Sequence, residues 1–183
     1  MTGLSRQRAT LLVVDIQERL APAMPEAVLA QVIRNTTILI EGAKLLGLPI
    51  LVSQQYPKGL GQTVAAIESV LPPTAQHFDK VEFSAGGMAI VHPDPRGGRD
   101  QYIIAGMETH ICVYQTAREL VARGLRAFVA VDAVCSRTKL NWKVGRDLIA
   151  KAGATLTSTE TVLFDLLGRA GTDEFKAISR LIK

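Results

Sequence analysis

The sequence predicts an α/β fold of three layers: a Rossmann-like, open, mostly parallel sheet of about six strands between two sheets of helices. Three observations carry that expectation. Short apolar runs such as Ala9-Thr-Leu-Leu-Val-Val-Asp15 lack the polar alternation of a half-exposed strand and read as parallel strands buried on both faces. Longer stretches of helical periodicity separate these runs. Glycines then punctuate the helix ends, at Gly47, Gly124, Gly153 and Gly168. Repeated helix-Gly-strand junctions are the mark of right-handed βα crossovers.

Element by element, the first strand ends at Asp15. A helix over 27–46 closes at Gly47, and Pro49 starts the second apolar run, Pro49-Ile-Leu-Val-Ser53. Further strands are predicted over 76–80, 101–106, 126–131 and 154–158. Helices over 111–123, 139–152 and 160–167 follow the later ones and close at Gly124, Gly153 and Gly168. A last helix over 172–182 opens on Thr172, a good N-cap, and packs on this domain or on a neighbouring subunit.

The 183 residues suit one domain, 1–183, without repeats or low-complexity segments, and 48% hydrophobic content supports a packed core. No apolar stretch approaches the length of a membrane span, and the opening Met-Thr-Gly-Leu-Ser-Arg-Gln-Arg lacks a signal-peptide h-region, so the expected location is cytoplasmic. Two cysteines cannot build a disulfide framework. Cys112 and Cys135 are therefore expected as free thiols, the second packed at a strand end. The net charge of +4 is spread along the chain and interleaved with acids, with no basic run or finger spacing, which argues against nucleic-acid binding.

Cys112 is the most informative residue. It opens a helical pattern directly after an apolar strand, where helix N–H groups and the dipole stabilise an anion, and a lowered thiol pKa is expected. Packing as a small apolar residue is the alternative. Asp15 and Lys80 stand at two other strand ends, and in an open parallel sheet ligands bind outside the carboxyl ends of the strands, so acid, cation and thiol converge. The carboxylate then serves as general base and the ammonium favours the thiolate. His110 lies two residues from Cys112, a step that turns side chains to different helix faces, while His77 and His92 are scattered. Gln17, Gln54, Gln55, Tyr56 and Phe83 are candidate substrate-binding residues at the same rim, with Gln17 reaching the Asp15 carboxylate or the substrate. Arg137 either binds an anionic group or caps loop carbonyls, and Trp142 is an interface anchor or a pocket lid.

On Val13-Val-Asp15-Ile-Gln17-Glu, Lys80-Val-Glu-Phe-Ser84, Ala105-Gly-Met-Glu-Thr-His-Ile-Cys112 and Val131-Asp-Ala-Val-Cys-Ser-Arg137, the chain resembles the isochorismatase-like cysteine hydrolases, from about residue 9 to about 161. The resemblance implies Asp15 as base, Lys80 as its electrostatic partner and Cys112 as nucleophile. It also implies a cis peptide between Met107 and Glu108, an oxyanion hole from the backbone amides of Glu108 and Cys112, and a homo-oligomer.

Nicotinamidases of this fold carry an Asp-x-His metal-ligand arrangement after the second strand. Here that stretch reads Gln54-Gln-Tyr-Pro-Lys-Gly-Leu-Gly61, whose neutral amides and phenol do not make a zinc or iron site, so no metal and no cofactor are expected. It looks instead like the metal-free isochorismatase-domain proteins. True isochorismatases generally lack the cysteine, which points away from vinyl-ether hydrolysis. The expected function is metal-independent hydrolysis of a small amide-like or related acyl compound through a thioester, with a small-molecule substrate as partner and neither nucleic acid nor membrane. The alternative is a non-catalytic small-molecule binder or thiol sensor on the same fold.

Overall fold

Strand β1 (Ala9–Val14) is buried along its whole length, and the sheet is assembled outward from it. The structure, a computed structural model, describes residues 3–91 and 98–183. The other strands are β2 (Ile50–Gln55), β3 (Gln76–Lys80), β4 (Gln101–Met107), β5 (Arg126–Cys135) and β6 (Thr155–Thr157). They form a six-stranded sheet in the order β3-β2-β1-β4-β5-β6, and every pairing is parallel. The chain winds from β1 to one side and then to the other. The crevice between the carboxyl ends of β1 and β4 is the switch point where such sheets bind ligands.

The helices are α1 (Glu26–Leu46), α2 (Pro57–Leu60), α3 (Ala65–Glu68), α4 (Gly86–Val91), α5 (Tyr114–Ala122), α6 (Lys139–Lys151), α7 (Thr159–Leu167) and α8 (Asp173–Leu181). Alternate strand residues point to opposite faces. Leu11, Val13, Ile103 and Ala105 pack in the cluster that holds α1, α7 and α8, while Leu12, Val14, Ile104 and Val129 pack with residues of α4, α5 and α6. Each fully buried Leu or Ile of this kind contributes roughly 1.5–3 kcal/mol, against about 1 kcal/mol for a helix cap, so the doubly covered strands dominate the stability. Among the described residues no helix is long and apolar enough to cross a membrane.

The three-layer α/β architecture is the one the sequence predicts, with shifts at the edges of elements. β1 stops one residue before Asp15, β2 runs on through Gln54 and Gln55, and β5 runs on to Cys135. The helix expected from residue 111 opens as a π-helical turn, Thr109–Val113, before α5 begins. α2, α3 and α4 are not expected from the sequence, because four to six residues are too few to display a helical period. Thr172 caps α8 as expected, accepting the N–H of Phe175. Of the two dockings considered for α8, the helix packs back onto this chain's core through Ile178.

Two backbone details set the rim. Ile104 pairs with Val129, yet Gly106 pairs with Val134, so an irregularity in β5 brings Cys135 beside Met107 at the end of β4. Gly106 itself has φ 131°, and a Cβ there would lie 2.0 Å from the Val14 carbonyl oxygen. Only glycine lets β4 approach β1 this closely. Gly106→Ala should therefore destabilise the fold by about 2–4 kcal/mol through clash and strained φ together, read as a lower urea midpoint at unchanged slope.

Candidate active site

Asp15 is the first residue past β1 and adopts a left-handed φ of 51°. Its N–H donates to the Ser53 carbonyl at 3.1 Å, which ties it to β2. Its carboxylate, wholly buried, accepts from Ser53 Oγ at 2.7 Å and from Lys80 Nζ at 2.7 Å. Lys80 ends β3 and reaches over β2 to make this contact. Its ammonium also donates to Gln55 Oε1 at 2.7 Å and to the carbonyls of Phe83 at 3.1 Å and Glu82 at 3.3 Å. A buried ammonium is costly unless its protons find acceptors, and one carboxylate with three neutral oxygens provides them.

Cys112 sits in the π-helical turn with 6% exposure. The Asp15 carboxylate, the Lys80 ammonium and the Glu108 backbone N–H all act electrostatically on its thiol. The Met107–Glu108 peptide is cis. The Glu108 carbonyl accepts the N–H groups of Ile111 at 3.1 Å and Val113 at 3.2 Å, one on each side of Cys112. α6 presses on the outside of this turn. A Cβ on its Gly145 would lie 2.6 Å from the His110 backbone nitrogen.

The electrostatics of the pair correct one expectation. Burial raises the Asp15 carboxyl above its ordinary value, against the lowering pull of Lys80's charge and of the hydrogen bonds from Lys80 and Ser53. Burial first, and then the Asp15 charge, push the Cys112 thiol up to about 12, with Lys80 and the Glu108 N–H pulling the other way. The predicted depression of the thiol by a helix terminus is overturned, because the sulfur lies inside a buried turn facing a carboxylate. At rest the proton stays on the Cys112 sulfur. Burial also pushes Cys135 up to about 12, so geometry, and not acidity, distinguishes the two thiols.

The remaining candidates divide. Gln55 orients Lys80 and donates to the Val81 carbonyl at 2.8 Å. Gln17 does not reach Asp15. Its amide is fully engaged with the backbone of Gln55 and Gly61, clipping the loop after β2 to the loop after β1. Gln54 is spent on Thr63 and Asp79. Tyr56 lines a rim cavity of about 400 Å³ with Pro57, Asp79, Lys80 and Val81. Phe83 is half exposed, and its carbonyl is what meets the site. A second cavity, of about 340 Å³, is lined by Val28, Val134, Ser136, Lys139 and Trp142, which places Trp142 in a cavity wall. Neither cavity is lined by Asp15 or Cys112.

His110 pairs with Ser136 Oγ at 3.0 Å, His77 with Glu68 at 3.2 Å, and His92 lies outside the described residues. Arg137 does not cap loop carbonyls: it grips Glu108, with Nη2 to Oε1 at 2.6 Å, and keeps its side chain half exposed. Among the described residues no group of three or more His, Cys, Asp and Glu is arranged to hold a metal ion. Sequence reasoning missed Ser53, although a lone hydroxyl inside the apolar run of β2 was a readable signal. The Glu108–Arg137 pair left no such signal.

This constellation on a parallel α/β sheet defines the class as an isochorismatase-type hydrolase fold. The isochorismatase domain family matches residues 9–161, and the chain belongs to it. It is 36% identical over 182 residues to the secreted isochorismatase effector Isc1 of Phytophthora sojae, covering 96% of this chain and 84% of that protein. It is 34% identical over 175 residues to isochorismatase domain-containing protein 1 of Salmo salar, covering 92% of this chain but 59% of that longer relative. Among solved structures it is similar to the MAR1 ribonuclease of Caenorhabditis elegans, with a TM-score of 0.89, 32% identity, and coverage of 98% of this chain and 92% of that one.

Lys80→Met removes the partner of a buried carboxylate and should cost about 3–5 kcal/mol at neutral pH. Asp15, already raised, then rises further. A carboxyl with a raised folded pKa favours folding below its unfolded pKa and loses that advantage as pH rises through the folded value. The deficit should therefore shrink toward pH 4 and widen toward pH 8, as read by urea unfolding at both pH values.

Proposed function

We propose that the chain is a metal-independent cysteine hydrolase acting on a small amide-like or related acyl compound. The single observation that carries this reading is the buried Lys80–Asp15 ion pair, with the Cys112 thiol within its electrostatic reach, at the switch point of the sheet. Asp15 is the general base, Cys112 the nucleophile, and Lys80 the fixed charge that holds the carboxylate in place.

In the first half-reaction Asp15 takes the thiol proton as sulfur attacks the carbonyl carbon, forming the C–S bond and moving the carbonyl π pair onto oxygen. Transfer in step with attack suits a thiol pushed up to about 12, since no free thiolate need accumulate, and the raised carboxyl makes Asp15 a stronger base than an exposed aspartate. The backbone N–H groups of Glu108 and Cys112 would form the oxyanion hole. Collapse breaks the bond to the leaving group, which departs with the proton from Asp15. Asp15 then takes a proton from water as its oxygen attacks the thioester, and the acid leaves as sulfur regains its proton. No step is routed through a metal.

Cys112→Ala should abolish turnover across a panel of small amides, esters and thioesters, by about 1,000-fold or more, with an unchanged circular dichroism spectrum. Asp15→Asn should lose about 100-fold or more. Because the base must start ionised, activity should fall as pH drops through the raised Asp15 pKa, placing the acid limb above the ordinary carboxylate range. An RNA arm belongs in the panel, given the name of the Caenorhabditis elegans neighbour. RNA cleavage that survives Cys112→Ala, with no acyl substrate turned over, would overturn the reading.

A further inference from the structure

Glu108 is held at two places. Its carbonyl accepts the N–H groups of Ile111 and Val113, and its carboxylate, on a residue only 2% exposed, is taken by Arg137. The Arg137 backbone N–H donates to Oε2 at 2.9 Å, Nε lies 3.2 Å from Oε1 and 3.1 Å from Oε2, and Nη2 donates to Oε1 at 2.6 Å. This side-on, planar grip is one that a lysine cannot reproduce. Its reach depends on the irregularity in β5, which carries Cys135, and hence Arg137, to the end of β4.

We propose that Arg137 is a positioning residue for the cysteine: by clamping the Glu108 side chain it fixes the carbonyl that braces the turn around Cys112. The inference rests on the cysteine-hydrolase reading and deepens it. Burial alone would raise the Glu108 carboxyl, yet the hydrogen bonds and charge of Arg137 hold it below its ordinary value, so the clamp joins two charged groups at neutral pH. The Arg137 side chain is 53% exposed, so its role does not come from filling the core, and small cations can reach its place once it is truncated.

The test follows alkylation of Cys112 by iodoacetamide across pH, read by peptide mass spectrometry with Cys135 as internal control. It compares the wild type with Arg137→Ala, Arg137→Lys and Glu108→Gln, alongside thermal midpoints. Loss of the brace on the turn should slow Cys112 alkylation of Arg137→Ala about 10-fold at a fixed pH, leaving Cys135 unmoved. Arg137→Lys should recover part of the rate, and a non-denaturing concentration of guanidinium ion should restore much of it in Arg137→Ala. Glu108→Gln keeps the peptide N–H and carbonyl, so it tests the same charge pair if Arg137→Ala fails to fold, and adding Arg137→Lys to it should change nothing further. A lowered midpoint with superimposable Cys112 profiles in all variants would mean a merely structural pair and overturn the positioning role alone. A wild-type Cys112 no more reactive than Cys135 would overturn both the role and the cysteine-hydrolase reading.

Discussion

The buried ion pair between Lys80 and Asp15 is the constraint on which the rim of this molecule is built. Two charges with no exposure are tolerable only if every proton and lone pair finds a partner, and that requirement recruits residues from several elements. Ser53 and the end of β2 hold Asp15 in its left-handed conformation, Gln55 and the carbonyls after β3 hold Lys80, and Gln17 and Gln54 lock the intervening loops. The amides of the glutamines are therefore largely spent before any ligand arrives.

The same burial explains the resting state of the thiol. In water a cysteine beside a lysine gains acidity, but Cys112 meets the lysine across an aspartate and away from solvent, so its proton is held more tightly than in the free amino acid. Such a pair stores its reactivity in geometry. The Asp15 carboxylate and the Glu108 N–H both act on the thiol, in opposite directions. Both depend on the turn between Thr109 and Val113, which is held by the Glu108 carbonyl from within and pressed by Gly145 of α6 from outside.

Much of this was legible in the chain. Uninterrupted apolar runs and closing glycines signalled buried parallel strands and crossover helices, because the rules behind them are local: side-chain periodicity, helix capping and the geometry of right-handed crossovers. Asp15, Lys80 and Cys112 stood out because each is a reactive type at a strand end. What stayed hidden were relations between residues distant in sequence. Nothing near Glu108 announces Arg137, 29 positions on. Nothing around Gln17 announces that its amide will face the backbone of Gln55 and Gly61 and not Asp15.

The sequence by itself determined the layers, the order of strand and helix, and the presence of an acid, a base and a thiol at the carboxyl edge, since these follow from patterns a few residues long. Only the tertiary structure decided the burial of that trio and the partners of each polar group. Both depend on how far water is excluded, and exclusion is a property of the packed sheet and helices that no short stretch of chain possesses.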